Sequence, residues 1–206
     1  NAVVGLKPSA APVHYSYIKH HLVPFGEFIP PMFRWFTDLL RIPLGDFSRG
    51  EVVQPSFAWM GERFAPNICY EDLFGEDLAA RFRDAAQAPT VLVNMSNLAW
   101  FGTGLVLDQH LNMARMRSLE LDRPSLRATN TGMTVLIDRN GQVQAALPRA
   151  QRGVLRAEVA GNEGQTFFAQ WAGRYGQLPL WAVAFVLMAA ARLATWLGKA
   201  SFFTRN

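Results

Sequence analysis

Two segments hold residues whose types could do chemistry together. One runs from Tyr17 to Pro30, Y-I-K-H-H-L-V-P-F-G-E-F-I-P, and the other from Pro66 to Asp72, P-N-I-C-Y-E-D. The second carries the chain's one cysteine, Cys69, at the end of an apolar run and the start of a polar, helix-prone one. The first carries Lys19, followed eight residues later by Glu27. A lone thiol at a strand-to-helix turn, with a lysine and carboxylates elsewhere, suits acyl transfer through a thioester. A lone cysteine is more often a small buried hydrophobe. The turn shifts that balance, because a helix N-terminus stabilises a thiolate.

Lys19 stands between Tyr17-Ile18 and His20-His21-Leu22-Val23, an apolar setting for a free ammonium. Near a thiolate, a lysine lowers the thiol pKa and stabilises the oxyanion of a tetrahedral intermediate. Glu27, between Gly26 and Phe28, is oddly placed for a surface charge.

The elements that must position these residues read as mixed α/β. Strand-like runs lie at Ala2–Leu6, Val13–Ile18, Phe64–Cys69 and Thr90–Met95. Helical spacing covers Gly75–Ala86 and Leu105–Leu121, the latter stopped by Pro124. Met133–Asp138 and Gln142–Leu147 flank Asn140-Gly141, a hairpin signal, and a last strand is expected at Val154–Val159. Such alternation predicts a layered α/β domain.

Composition narrows the function classes. Of 206 residues half are apolar and only 17% charged, below the roughly 25% of soluble domains. The net charge of +4 comes with no Lys/Arg-rich block, so nucleic acid is not an expected partner. One cysteine and four scattered histidines lack metal-site spacing, and no metal or cofactor is expected. The chain opens directly into a strand-like stretch and reads as the C-terminal part of something longer.

Two segments depart from a plain soluble domain. In Pro30–Phe47, Phe33, Phe36, Leu39 and Leu40 share a helical face away from Arg34, Thr37, Asp38 and Arg41. A short helix packed on the core and an interfacial helix at a headgroup boundary both remain open. Leu178–Leu197 has one charge, Arg192, and Trp181 and Trp196 near its ends. That length spans a bilayer core of roughly 30 Å, and a transmembrane helix is expected, with residues 198–206 as a short tail.

Together, Lys19 in Y-I-K-H-H-L-V-P-F-G-E, Cys69 in N-I-C-Y-E-D and the run N-M-S-N-L-A-W-F-G resemble the nitrilase superfamily. H-L-V-P-F-G-E-F-I-P, the stretch Gln109–Gly132 and the terminal apolar helix resemble its bacterial apolipoprotein N-acyltransferase family. The resemblance implies part of a nitrilase-like αββα sandwich over residues 1–170, with 30–47 as a membrane-interface lid and a transmembrane helix at 178–197. It implies transfer of an acyl chain from a phospholipid to the amine of a diacylglyceryl apolipoprotein at the bacterial inner membrane, the catalytic domain being periplasmic. Cys69 would be the nucleophile and Lys19 the oxyanion support. Glu27 matches a second glutamate near the site and is expected to be catalytic with Cys69 and Lys19, and Tyr70 and Glu71 match residues beside the nucleophile. The family's general-base glutamate lies before Asn1, so the chain alone is expected to be inactive. Phe25, Pro30, Trp100 and Phe101 are substrate-binding or supporting candidates, although core packing fits Trp100 and Phe101 equally. Leu98 departs from the family's usual aspartate, which predicts a local change in loop hydrogen bonding.

Two other readings compete. A nitrilase-type amidase would hydrolyse a C–N bond with the same Glu-Lys-Cys triad that the resemblance implies but needs neither apolar segment. A non-catalytic relic would not be expected to keep Lys19, Glu27 and Cys69 together.

Overall fold

The computed structural model describes residues 1–8, 15–39, 47–102 and 104–203. Two antiparallel strands come first, β1 (Ala2–Gly5) and β2 (Tyr15–Ile18), paired Ala2 to Ile18. A 3-10 turn at Pro31–Phe33 leads into a short helix, α1 (Arg34–Leu39). The main sheet has six strands in sequential order: β3 (Phe57–Trp59), β4 (Glu62–Ile68), β5 (Val91–Ser96), β6 (Ser125–Thr129), β7 (Val135–Ile137) and β8 (Val143–Ala146). The β4-β5-β6 centre is parallel and the flanking pairs are antiparallel.

Helices make the parallel crossovers, as parallel pairing requires. A 3-10 turn (Cys69–Leu73) and α2 (Gly75–Ala80) link β4 to β5, and α3 (Val106–Leu121) links β5 to β6. The register sets Ala65, Leu92, Ser125 and Ile137 in one row across the sheet. The next row toward the strand ends is Asn67, Asn94, Arg127 and Val135. Ala65 and Leu92 pack with Leu78, Ala79 and Phe82 beneath α4 (Phe167–Tyr175), while Ala114 of α3 lies on Val135 and Ile137. The helix-covered face is thus apolar in its middle and polar at the C-terminal strand ends, where open α/β sheets place their sites.

Gly173 lets α4 lie directly on α2; a Cβ there would sit 2.4 Å from the Ala79 carbonyl oxygen. From this anchored helix the chain turns at Gly176 into α5 (Leu178–Phe203). Its stretch Leu178–Trp196 is apolar and long enough to cross a membrane, and none of it is buried.

Several sequence expectations change. The helix expected over Gly75–Ala86 stops at Ala80, after which the N–H groups of Arg81, Phe82 and Arg83 bond the carbonyls three residues back, and the Arg81 side chain turns inward to donate to the Pro66 carbonyl at 2.7 Å. No strand forms at Val154–Val159. That segment pairs with no strand among the described residues, leaving Val154 82% exposed, and is tied down afterwards by Gly161 and Asn162. β3, β6 and α4 had no sequence expectation. β3 is short and joins β4 through Met60-Gly61, both at positive φ as a tight hairpin turn requires. Val13 and His14, and residues 40–46 of the expected lid, lie outside the described residues. Pro31, Met32, Phe33, Arg34, Trp35 and Leu39 are exposed, so this part of the segment does not pack in the core.

Candidate active site

Cys69 follows the last residue of β4 and has φ of 59°, in the left-handed region that non-glycine residues seldom occupy. Strain of this kind persists only where neighbours over-determine it. Here Asn94 in β5 donates from Nδ2 to the Cys69 carbonyl at 2.9 Å, and its amide also binds Asn67 of β4. Ser96 completes the row by donating to Asn94 Oδ1 at 2.5 Å.

Glu71 ties this turn to β2. Its Oε2 accepts from Ile68 N at 2.7 Å and from the Tyr17 hydroxyl at 2.9 Å. Its Oε1 accepts from His20 N at 2.7 Å and His21 N at 3.1 Å. The carboxylate is 3% exposed and contacts protein donors on both sides, so it holds two chain segments together. Lys19 is the residue between those segments' contact points, just after β2, and is 1% exposed. Gly50 N donates to its carbonyl at 3.0 Å.

Lys19 Nζ lies 2.8 Å from Glu27 Oε1 and 5.4 Å from the centre of the Tyr70 ring. Glu27 stands in a tight turn whose N–H groups bond the Val23 carbonyl, with Phe25 at φ of 60°. Its Oε2 accepts from Val23 N at 2.9 Å, and the Asn1 amide donates to Oε1. Tyr70 donates its hydroxyl to the Leu22 carbonyl at 3.0 Å. Five of the residues singled out by sequence, Lys19, Glu27, Cys69, Tyr70 and Glu71, therefore meet at the C-terminal ends of β2 and β4.

Burial pushes the Cys69 thiol pKa up, Lys19 is the strongest opposing influence, and Glu27 pushes it up again. This corrects the expectation of a thiolate stabilised by the turn: desolvation outweighs the local charges. Tyr70 is also raised, by burial first and then by Glu27.

The remaining candidates sit further out. Phe25 is 48% exposed and meets Phe33 edge-on at 5.2 Å. Pro30 precedes the 3-10 turn and its carbonyl accepts from Phe33 N. Trp100 and Phe101 are 78% and 49% exposed on the loop after β5. Leu98 on that loop is fully buried; its N–H donates to Asn130 Oδ1 at 2.9 Å and its side chain lies against Gly132. An apolar plug thus accompanies the loop hydrogen bonds.

Sequence reasoning missed the supporting groups. Asp72 and Arg127 form a buried pair at 2.7 Å, and Arg127 reaches His110 Nδ1 at 3.3 Å. Burial raises Asp72 to about 6 against the pull of Arg127; burial and Arg127 together lower His110 to about 4. The available signal was polar residues at inward positions of apolar strands, Asn67, Asn94 and Arg127. Among the described residues no cluster of His, Cys, Asp or Glu could hold a metal ion.

The family model described as carbon-nitrogen hydrolase matches residues 1–167. The apolipoprotein N-acyltransferase of Verminephrobacter eiseniae is 57% identical over 183 residues, covering 85% of this chain and 34% of that protein. That of Ralstonia nicotianae is 53% identical, covering 92% of this chain and 36% of the relative. The chain thus spans about a third of the length of the curated relatives it matches. A CN-hydrolase superfamily protein from Xanthomonas campestris shares the fold at TM-score 0.53 and 19% identity, covering 86% of this chain and 62% of its own. A carbon-nitrogen hydrolase from Helicobacter pylori G27 does so at TM-score 0.51 and 13% identity, covering 71% and 52%.

Proposed function

Because the chain belongs to the carbon-nitrogen hydrolase family, we propose that it is the nucleophile-bearing and membrane-anchoring part of a phospholipid–apolipoprotein N-acyltransferase. The observation that carries the reading is the buried Lys19–Glu27 pair set beside Cys69 at its left-handed turn. Names of relatives support the reaction, and the exposed apolar helix α5 supports a lipid donor and a membrane setting.

The chemistry runs in two halves. A base takes the Cys69 proton while Sγ attacks the ester carbonyl of the phospholipid. Lys19 Nζ stabilises the negative oxygen of the tetrahedral intermediate. The C–O bond then breaks, the lysophospholipid oxygen takes the proton, and a thioester remains on Cys69. In the second half the α-amine of the diacylglyceryl-cysteine attacks, the C–S bond breaks, an amide forms, and the amine's proton returns to the thiol. Both Glu27 oxygens are already engaged, by Lys19, Asn1 and Val23, so Glu27 holds Lys19 in place. The family resemblance assigns the base to a glutamate ahead of Asn1. Exposed Phe25, Phe33, Trp100 and Phe101 offer apolar surface to the acyl chains beside the site. The domain is read as periplasmic, on the inner membrane, with α5 as anchor.

The test uses the full-length enzyme. Phospholipid should add an acyl mass, labile to hydroxylamine, to the Cys69 peptide, and a diacylglyceryl-cysteine peptide should discharge it as an amide. Cys69→Ala should remove the label; its persistence there would refute the mechanism. Discharge by water as fast as by the peptide would favour the amidase reading.

A further inference from the structure

We propose that His21 and Asp77 are positioning residues, a clamp that holds Lys19 against Cys69. The clamp joins the two chain segments that carry the chemistry. His21 lies two residues after Lys19, and Asp77 lies in the first turn of α2, eight residues after Cys69. His21 Nε2 is 2.6 Å from Asp77 Oδ2, and the imidazole stacks face to face on Phe74 at 3.5 Å between centroids. Phe74 in turn meets the Tyr70 ring edge-on at 5.6 Å, and His20 meets His21 edge-on at 4.7 Å. A continuous stack therefore runs from the lysine segment to the residue beside the nucleophile.

Glu71 does not make this clamp redundant. It binds the backbone N–H groups of His20 and His21 from one side and fixes their height over the turn. The His21 ring, stacked on Phe74 and bonded to Asp77, ties the same segment to α2 through a side chain. The charged and titratable groups facing His21 are Asp77, Glu71, His20 and Tyr70, and Arg81 lines the same small recess with Tyr17. Those facing Cys69 are Lys19, Glu27, Arg127 and Tyr70. Asp77 is not among them, so the clamp acts on the thiol by placing Lys19, and the Lys19→Met background separates that route from one through Tyr70.

The proposal rests on Lys19 and Cys69 acting together, and its readout needs no substrate. In the full-length enzyme the pH dependence of Cys69 alkylation by iodoacetamide is followed by mass of the Cys69 peptide. Lys19→Met should move the midpoint up by about one pH unit, as loss of a close opposite charge does. His21→Ala and Asp77→Ala should each move it up by roughly 0.5–1 unit, three- to tenfold slower alkylation below the midpoint. His21→Gln, whose amide can still donate to Asp77, should recover most of the shift. In a Lys19→Met background His21→Ala should add nothing, because the clamp has no lysine left to place. Thermal melting confirms folding, and Asp77→Leu, of similar size but with no acceptor, replaces any alanine variant that does not fold and should show the same upward shift. An unchanged midpoint in folded His21→Ala overturns the proposal, as does an equal further shift without Lys19. Failure of Lys19→Met itself to move the midpoint removes the lysine–thiol partnership and the clamp with it. Failure of the acyl-transfer assay alone leaves these shifts intact.

Discussion

Glu71 is the residue whose removal tests the site's construction most directly. Its carboxylate accepts from Ile68 N, His20 N, His21 N and the Tyr17 hydroxyl in a site 3% exposed. In Glu71→Gln the amide oxygen keeps the two histidine N–H groups in its better orientation. The amide NH2 then faces Ile68 N–H and Tyr17. The tyrosine hydroxyl can rotate to accept, but the Ile68 N–H cannot, so one buried donor is orphaned. That costs about 1–3 kcal/mol. The flipped amide orphans two N–H groups and is worse. Glu71→Ala leaves all four donors without the carboxylate. Water entering the space recovers part of the loss, so about 3–5 kcal/mol is expected, the range for breaking a buried charged contact. Stability should rank wild type, then glutamine, then alanine.

Function should fall faster than stability, since the same bonds set Lys19 relative to Cys69. Melting of the detergent-purified full-length enzyme reads the first effect, and the rate of Cys69 thioester formation reads the second. Tyr17→Phe removes one donor to the carboxylate and should cost about 1.5–3 kcal/mol. Combined with Glu71→Ala it should cost almost nothing more, because the partners share one interaction. A glutamine variant as stable as wild type, or full additivity with Tyr17→Phe, would refute the bridging role.

Two further outcomes follow from buried side chains near the site. Leu98→Ala should cost about 2–4 kcal/mol, because the side chain is fully buried against Gly132; a loss in melting equivalent to under about 1 kcal/mol would contradict that packing. His110 is held at about 4, below its ordinary 6.5, so its contribution is present above pH 6.5 and is lost as pH falls toward 4. His110→Gln lacks that loss, so its melting temperature should fall less than wild type between pH 7 and 4.5. Asp72, raised to about 6, has the opposite dependence in both proteins, so the difference reads the histidine; parallel curves would sink the assignment.

The fold was legible wherever burial followed a simple period. β4 and β5 contain apolar runs, α3 places apolar residues at helical spacing, and the Asn140-Gly141 turn marks the β7–β8 hairpin. β6 was not legible because its inward residues, Ser125 and Arg127, are polar, and only the facing Asp72 explains the arginine. Val154–Val159 alternates like a strand, yet a strand needs a free edge in register, which sequence cannot display. At the site, residue identities came from the motif resemblance. Their mutual geometry came from long-range bonds such as Glu71 to Tyr17 and His21 to Asp77, which span more than fifty residues.

The arrangement around Cys69 balances opposed influences. Burial alone would leave an inert thiol; an unpaired lysine alone would leave a permanent thiolate open to any electrophile. Pairing Lys19 with Glu27 weakens the lysine's hold on the resting thiol, and the thiol pKa stays raised. The pairing does not weaken the lysine equally toward an oxyanion. An oxyanion is a new charge formed beside Nζ in a site shielded from water, where charge interactions are strong. On the proposed mechanism the lysine would act more on the tetrahedral intermediate than on the free enzyme, which is the differential binding that accelerates a chemical step. On that mechanism the effect on the intermediate would depend steeply on distance, and the lysine segment is held by three contacts: Glu27 on Lys19 Nζ, Glu71 on the His20 and His21 N–H groups, and Asp77 on the His21 ring.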